Sequence, residues 1–412
     1  MSVSRLDAEH LDLGSGLEVL LQARLAGLGA DDLLEVRVPS RSVALELPAW
    51  ARMHGHAVVD DAETAAGGHL VTIRRGATRR VLGGDQPEAS QPARLRDGAF
   101  HSSDMRVDGL VPQTAARDGG FAPIGSVPEP GAPRFDWRLH RRDGVWAPDV
   151  AELAEQASGA QWDASDDIPW EAARAVPELL ERAVAQVMTF IAQNEYAALY
   201  VPARFLPQMH PAYAEVVMWL ASHVHDEARH IEVFTKRALI GGYHGFALAS
   251  TELSLHSLLA EPDFTAAALL LNVLGEGTFL DLLRFVERHA PDAATAAAAR
   301  LAHRDERRHV HFGISHVRHV VDGDPQRRAM LVRAAEQRAA KLTELTLSPL
   351  LTEGLTIMAA GSMRPAALSE GAAAVRTLMQ TMERNRIRRL RSAGFDALTA
   401  RYISELHTPN LM

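Results

Sequence analysis

Cysteine is missing from all 412 positions. That absence excludes disulfides, thiolate metal sites, cysteine nucleophiles and cysteine-ligated iron–sulfur clusters together, so any metal must be held by carboxylate and imidazole. A basic excess is missing as well. The 43 Lys and Arg stand against 52 Asp and Glu, a formal charge of −9, which argues against nucleic acid or an anionic membrane as the main partner and turns attention to cations. The opening Met1-Ser2-Val3-Ser4-Arg5-Leu6-Asp7 has no apolar signal core, and no later run reaches the roughly 18 apolar residues expected of a bilayer span. A cytoplasmic location is therefore expected, with no membrane and no nucleic acid as partner. No glycine-rich phosphate loop or dinucleotide fingerprint is present, so reducing equivalents for any redox chemistry must come from an external electron donor.

What is present is 47% apolar residues, enough for two or three domains with a substantial core. Residues 1–80 read as a small α/β unit. Helical periodicity runs over 17–28, Leu33-Leu34-Glu35-Val36-Arg37-Val38 alternates as a strand, and a strand pair is expected at 57–59 and 70–73. Leu47-Pro48-Ala49-Trp50 reads as a helix start with proline in the first turn. This order, with Ala44-Leu45-Glu46-Leu47-Pro48-Ala49-Trp50 followed by Gly55-His56-Ala57-Val58, resembles the TusA/SirA-like sulfur-carrier domain. Where that family carries Cys-Pro-x-Pro, this chain reads Gly14-Ser15-Gly16-Leu17, so persulfide transfer by the family's route is closed and a docking or structural role is expected.

Residues 81–160 read as a connection rich in Gly, Pro, Arg and Asp, as in Val127-Pro128-Glu129-Pro130-Gly131-Ala132-Pro133. Phe135, Trp137 and Trp146 would anchor it if it wraps around the second domain; a flexible linker is the other reading. From 161 to 412 the chain turns to long Ala/Leu/Glu/Arg segments. Breaks near Pro207–Pro211, Gly241-Gly242, Pro262, Pro291 and Gly323–Pro325 leave helices of bundle length.

Two of those segments share one pattern: Asp226-Glu227-Ala228-Arg229-His230 and Asp305-Glu306-Arg307-Arg308-His309. Glu and His three apart lie on one helical face, where both can reach one metal. Glu227 and His230 interrupt an apolar stripe of Val217, Leu220, Val224, Ile231 and Phe234, and Glu195 and Glu276 are likewise the polar exceptions among Met188, Ile191 and Leu199 and among Leu269, Val273 and Leu283. Ionised groups on a core face are costly unless paired or bound to metal. Geometry agrees: Glu195 and Glu227 are centred on Pro211, Glu276 and Glu306 on Pro291, so each hairpin lifts its acids about 22–24 Å from its turn. Four carboxylates balance two divalent cations with both imidazoles neutral.

One Glu from each of two helices plus Glu-x-x-His from the other two resembles the ferritin-like di-iron carboxylate superfamily, a four-helix bundle with additional helices. The repeated D-E-x-R-H motif resembles more narrowly its oxygen-activating branch, over about residues 165–320. The resemblance implies Glu195, Glu227, His230, Glu276, Glu306 and His309 as metal ligands and catalytic residues around two Fe, with a mixed manganese–iron pair as the alternative. It also implies that Asp226 and Asp305 each hydrogen-bond the histidine of the opposite motif, with Arg229 and Arg308 neutralising them. The expected activity is a non-haem di-iron oxygenase or oxidase that uses dioxygen to hydroxylate, epoxidise, desaturate or N-oxygenate a small organic substrate, free or carrier-bound; a homodimer is compatible with this. The rivals are a ferritin- or rubrerythrin-like metal-handling ferroxidase or peroxidase, and a partner-binding protein using the TusA-like domain.

Several residues stay open between two roles. His223 and His316 fall near the ligand face as either extra ligands or hydrogen-bonded core histidines, whereas His225 and His303 are off phase. Tyr196 and Tyr200 are radical or packing tyrosines. The basic run 384–391 is a partner surface or a solvated helix end. Leu280 stands where multicomponent hydroxylases carry a hydroxyl, and Gly275 and Gly277 around Glu276 predict a loosened helix, a π-type widening or space for substrate.

Overall fold

The computed structural model describes residues 2–65, 67–76, 95–106, 109–116, 120–126, 134–343 and 347–406. The chain forms two compact units, residues 1–92 with 118–135 and residues 93–117 with 136–412. The expected domain limit at residue 80 and the segment Val127–Pro133 lie outside the described residues.

In the small unit, strands β1 (Val3–Asp7), β2 (Leu33–Val38), β3 (Ala57–Glu63) and β4 (His69–Arg74) form one sheet in the order β1-β2-β4-β3. β1 runs parallel to β2, and the other neighbours are antiparallel. Alternation buries Leu34, Val36 and Val38 on β2 and Val71 and Ile73 on β4. Helix α1 (Leu17–Ala26) adds Leu17, Leu21 and Leu25 to the same core, and helix α2 (Arg41–Met53) adds Val43, Leu47 and Trp50. Pro48 does not open α2 as the sequence predicts; it lies inside it. The apolar spacing of Val43, Ala44, Leu47, Trp50 and Ala51 runs straight through the proline, and burial of that stripe outweighs the one lost backbone hydrogen bond.

The large unit is helical. Helices α4 (Glu178–Phe205) and α5 (Ala214–Leu239) form one hairpin. The second pairs the continuous segment Phe264–His289 with α9 (Ala293–Gly323); the segment consists of α7 (Phe264–Ala268), a π-helical stretch (Leu269–Glu276) and α8 (Gly277–His289). The two hairpins pack into a four-helix bundle through α5 with α9 and α4 with the π stretch. Pro211 sits in the turn between α4 and α5, and Pro291 precedes Asp292, whose carboxylate accepts the Thr295 N–H at 2.7 Å and caps α9. At the end of the bundle near Pro291, the fully buried Arg237 of α5 donates to Glu181 of α4 at 2.5 and 2.9 Å, to Asp292 at 2.7 Å and to Thr295 at 2.5 Å.

Around the bundle lie α3 (Val150–Gly159) against α5 and α9, and α6 (Ala249–Leu259) against α4. Next come α10 (Pro325–Lys341) against α9, α11 (Pro349–Ala360) against α4, α12 (Pro365–Ser392) against α8, and α13 (Ala397–Leu406) against α10 and α12. The stretch expected as a connection thus contributes a helix of this unit, and Trp137 and Trp146 are buried in it, whereas Phe135 belongs to the small unit and meets Phe121 edge-on. The architecture is mainly helical, a four-helix bundle with additional helices, with a small α/β unit earlier in the chain. One expectation needs correction: Phe264–His289 is long and apolar enough to cross a membrane, but 94% of its most apolar window is buried in the unit. A bundle helix enclosed on every side is apolar all round.

Candidate metal centre

The hairpins bring Glu195 of α4, Glu227 and His230 of α5, Glu276 at the end of the π stretch, and Glu306 and His309 of α9 together in the middle of the bundle, all buried. Their donor atoms fall into two quartets, each with its atoms within 4.8 Å of one another: Glu195, Glu227, His230 and Glu306 in one, His223, Glu227, Glu276 and His309 in the other. Glu227 belongs to both. Glu306 also spans them, with Oε1 3.7 Å from His230 Nδ1 and Oε2 3.4 Å from His309 Nδ1. The helix period explains the convergence, since Glu227 with His230 and Glu306 with His309 each project one turn apart on a single face.

Behind the imidazoles, the four residues expected to support them form a crossed lattice. His230 Nε2 donates to Asp305 Oδ2 at 3.4 Å, and His309 Nε2 donates to Asp226 Oδ2 at 3.3 Å. Arg229 bridges Asp226 at 2.5 Å and Asp305 at 3.0 Å; Arg308 bridges Asp305 at 2.7 Å and Asp226 at 3.0 Å. Each histidine therefore turns Nε2 toward its aspartate and Nδ1 toward the glutamates.

Charge within the cluster is strained in the absence of cations. Burial, then the Glu227 and Glu306 charges, push the Glu195 carboxyl well above its ordinary range. Burial, then Glu227 and Glu276, push Glu306 up to about 7. Burial also works against Glu227 and the two imidazoles as ions, yet the imidazoles hold Glu227 well below its usual value, Glu227 and the bond to Asp305 hold His230 well above its own, and the bond to Asp226 with Glu227 does the same for His309. Burial is likewise outweighed at Asp226, which the hydrogen bond from His309 lowers to about 2. Glu195 Oε1, Glu227 Oε1, both oxygens of Glu306 and His309 Nδ1 have no hydrogen-bond partner. His309 Nδ1 lies 2.8 Å from Glu227 Oε1, but the two do not meet in hydrogen-bonding geometry, so proximity alone does not satisfy them. Buried polar atoms left open on converging carboxylates and an imidazole are what a pair of divalent cations would complete. The donor set fits such a pair.

Three further side chains meet this centre, of which the sequence had singled out only His223, as an extra ligand or a core histidine. Trp162 donates its indole N–H to Asp305 Oδ2 at 2.6 Å and stacks beside the His230 ring with centroids 6.4 Å apart and planes inclined by 22°, while Arg229 sits over its face. It comes from a loop 143 residues from Asp305 and carries no periodic signal. Asn272 donates to Glu276 Oε2 at 2.7 Å; the signal was a lone polar residue four before Glu276 in an otherwise apolar run. His223 Nε2 lies 3.1 Å from Glu276 Oε1.

The other residues singled out in the sequence take simpler places. His316 is a core histidine: Nδ1 donates to the Trp146 carbonyl at 3.0 Å, which leaves Nε2 to accept from Thr265 Oγ1 at 3.0 Å. His225 is exposed, and His303 accepts from Arg284 at 3.0 Å. Tyr196 and Tyr200 stack on each other on the exposed side of α4 and line a cavity of about 650 Å³ that none of the six central residues lines. Leu280 lines a separate basic pocket with Arg307 and Arg389, and Thr278 donates back to the Leu274 carbonyl at 2.7 Å. A void of about 10 Å³, walled by Leu220, Phe264, Leu271 and Phe312, opens onto His223 and Asn272.

No family model matches the chain, and no curated protein matches it. Among solved structures, it is similar to a variant of an R2-like ligand-binding oxidase with an aerobically reconstituted Mn/Fe cofactor, at 18% identity and a TM-score of 0.46 over 63% of this chain and 95% of that one. It is also similar to a variant of the same oxidase with an aerobically reconstituted Fe/Fe cofactor, at 19% identity and a TM-score of 0.45 over 63% and 95%.

Proposed function

We propose that this protein is a two-metal, oxygen-activating oxidoreductase, with Glu195, Glu227, His230, Glu276, Glu306 and His309 holding a di-iron or manganese–iron pair. The observation that carries this reading is the convergence of four buried glutamates and two imidazoles, among which Glu195 Oε1, Glu227 Oε1, both oxygens of Glu306 and His309 Nδ1 lack hydrogen-bond partners. When bound, such a pair supplies redox electrons and open coordination positions for dioxygen. Everything else is done by the chain. Asp226 and Asp305 hold His309 and His230 as Nε2–H tautomers, keeping each Nδ1 lone pair for a metal. Asn272 fixes one oxygen of Glu276 and leaves the other toward the centre. Glu227 and Glu306 face both quartets and are the bridging candidates. The void beside His223, at about 10 Å³, is about the size of one water molecule.

An organic substrate, an external electron donor and a cytoplasmic location complete the proposal; hydroxylation, epoxidation, desaturation and N-oxygenation are its candidate outcomes. The small size of that void supports a second reading, a ferroxidase or peroxidase without an organic substrate, because among the cavities described none of organic-substrate size is lined by the six residues.

The test is anaerobic loading with ferrous iron, metal analysis, and Mössbauer spectroscopy before and after mixing with oxygen. About two irons per chain, oxidised together on mixing and lost in Glu306→Ala, are expected. Fewer than one retained metal, or retention unaffected by that substitution, overturns the reading. Repeated turnover of ferrous iron with no organic acceptor favours the ferroxidase.

A further inference from the structure

We infer that His223 is a seventh protein ligand, which makes the centre asymmetric, with two imidazoles at one metal and one at the other. The inference rests on the metal-centre reading above and goes beyond it.

His223 sits four residues before Glu227 on α5, one turn along the same face, and is 1% exposed. Its Nε2 points at the site: Glu276 Oε1 is 3.1 Å away and Glu227 Oε1 is 3.4 Å away. Its ring stacks on that of His309, with centroids 3.8 Å apart and planes 14° from parallel. The two imidazoles lie side by side over the same carboxylates, and one donor atom each from His223, Glu227, Glu276 and His309 forms a quartet as compact as the one around His230.

His316 shows what a purely structural histidine looks like in this bundle, since both of its nitrogens are occupied by a carbonyl and a hydroxyl away from the centre. The Nε2 of His223 instead faces two carboxylate oxygens of the candidate centre, Glu276 Oε1 and Glu227 Oε1. A buried imidazole aimed at two such glutamates, stacked on a third ligand, is placed as a donor to the cation those glutamates attract. It reaches that cation through Nε2, whereas His230 and His309 face the centre through Nδ1.

The asymmetry has a chemical consequence. Carboxylate-rich positions suit manganese, while imidazole favours metals later in the divalent series. The position shared by His223, Glu276 and His309 should therefore prefer iron over manganese more strongly than the one shared by Glu195, His230 and Glu306.

The experiment loads the full chain anaerobically with ferrous iron and compares wild type, His223→Gln and His316→Gln by metal retention after dialysis, chelator competition and Mössbauer spectroscopy. In His223→Gln one of the two irons is expected to bind at least tenfold more weakly and its quadrupole doublet to shift, while the other stays; His316→Gln should retain both with unchanged doublets. His223→Gly offers a second route, because added imidazole should restore tight binding of the weakened iron. Two irons in wild type with both doublets and affinities unchanged in His223→Gln, or no rescue by imidazole, would overturn the ligand role alone. Failure of wild type to hold two irons would overturn the metal-centre reading and this inference with it.

Discussion

Asp305 shows how much of the site hangs on one side chain. It accepts from Trp162, His230, Arg229 and Arg308 while fully buried, so its charge is matched by two guanidinium groups and its direction by an indole. In Asp305→Asn an amide replaces one acceptor oxygen, and an amide N–H turned toward His230 would favour the tautomer with the proton on Nδ1, where a metal would bind. Metal retention is expected to fall about 10- to 100-fold. Metal analysis after dialysis checks this, and unchanged content would show that the aspartate does not orient the imidazole. Asp305 was legible in the sequence because its motif occurs twice. Trp162 was not, because a loop residue carries no periodicity to mark which buried carboxylate it meets.

At the scale of elements, the π stretch Leu269–Glu276 decides where Glu276 points. Gly275 and Gly277 hinted at a widened helix; a Cβ on Gly277 would meet the flexible Arg389 side chain at 2.5 Å, while a less yielding close approach belongs to α9. A Cβ on Gly313 of α9 would lie 2.4 Å from Asn272 Cβ, an atom fixed to its backbone that cannot rotate aside. Gly313→Ala is therefore expected to push α9 from the π stretch, cost about 1–3 kcal/mol of stability and weaken the metal held by Glu276. Chemical denaturation and metal titration check both effects; wild-type values would mean that the backbone yields freely. The turns at Pro211 and Pro291 were readable because proline stops a helix locally. Pro48 misled for the converse reason: inside α2 the local penalty is outweighed by a buried stripe visible only once the sheet is in place.

For the whole molecule, the carboxylate cluster makes stability depend on metal. Glu195 and Glu306 are pushed upward by their neighbours, so the metal-free bundle holds like charges that a cation pair would relieve. Metal at 100 times its dissociation constant should add about 3 kcal/mol. Chelation should lower Tm by several degrees in wild type and leave Glu227→Ala unmoved. An independent pH dependence comes from His316, whose pKa burial lowers to about 4. Between that value and 6.5 the unfolded chain takes up a proton that the folded one refuses, so stability is full above about 6.5 and falls as the pH drops toward 4. The loss is on the order of 3 kcal/mol at most. Tm measured against pH should fall less steeply in His316→Gln over this window; an identical slope would place the acid sensitivity elsewhere.

By itself the sequence determined the helical segments, their turns and the common level of the four glutamates and two histidines. These follow from local periodicity and from equal spacing about a proline, properties carried along the chain. Only the tertiary structure decided that His223 faces Glu276, that Trp162 and Asn272 support the centre, and that the tyrosines beside Glu195 face away from it. Those outcomes depend on which helices pack together and how each is rotated about its axis. That rotation is set by the fit of side chains from segments far apart in sequence, here shifted further by the wider turn of the π stretch.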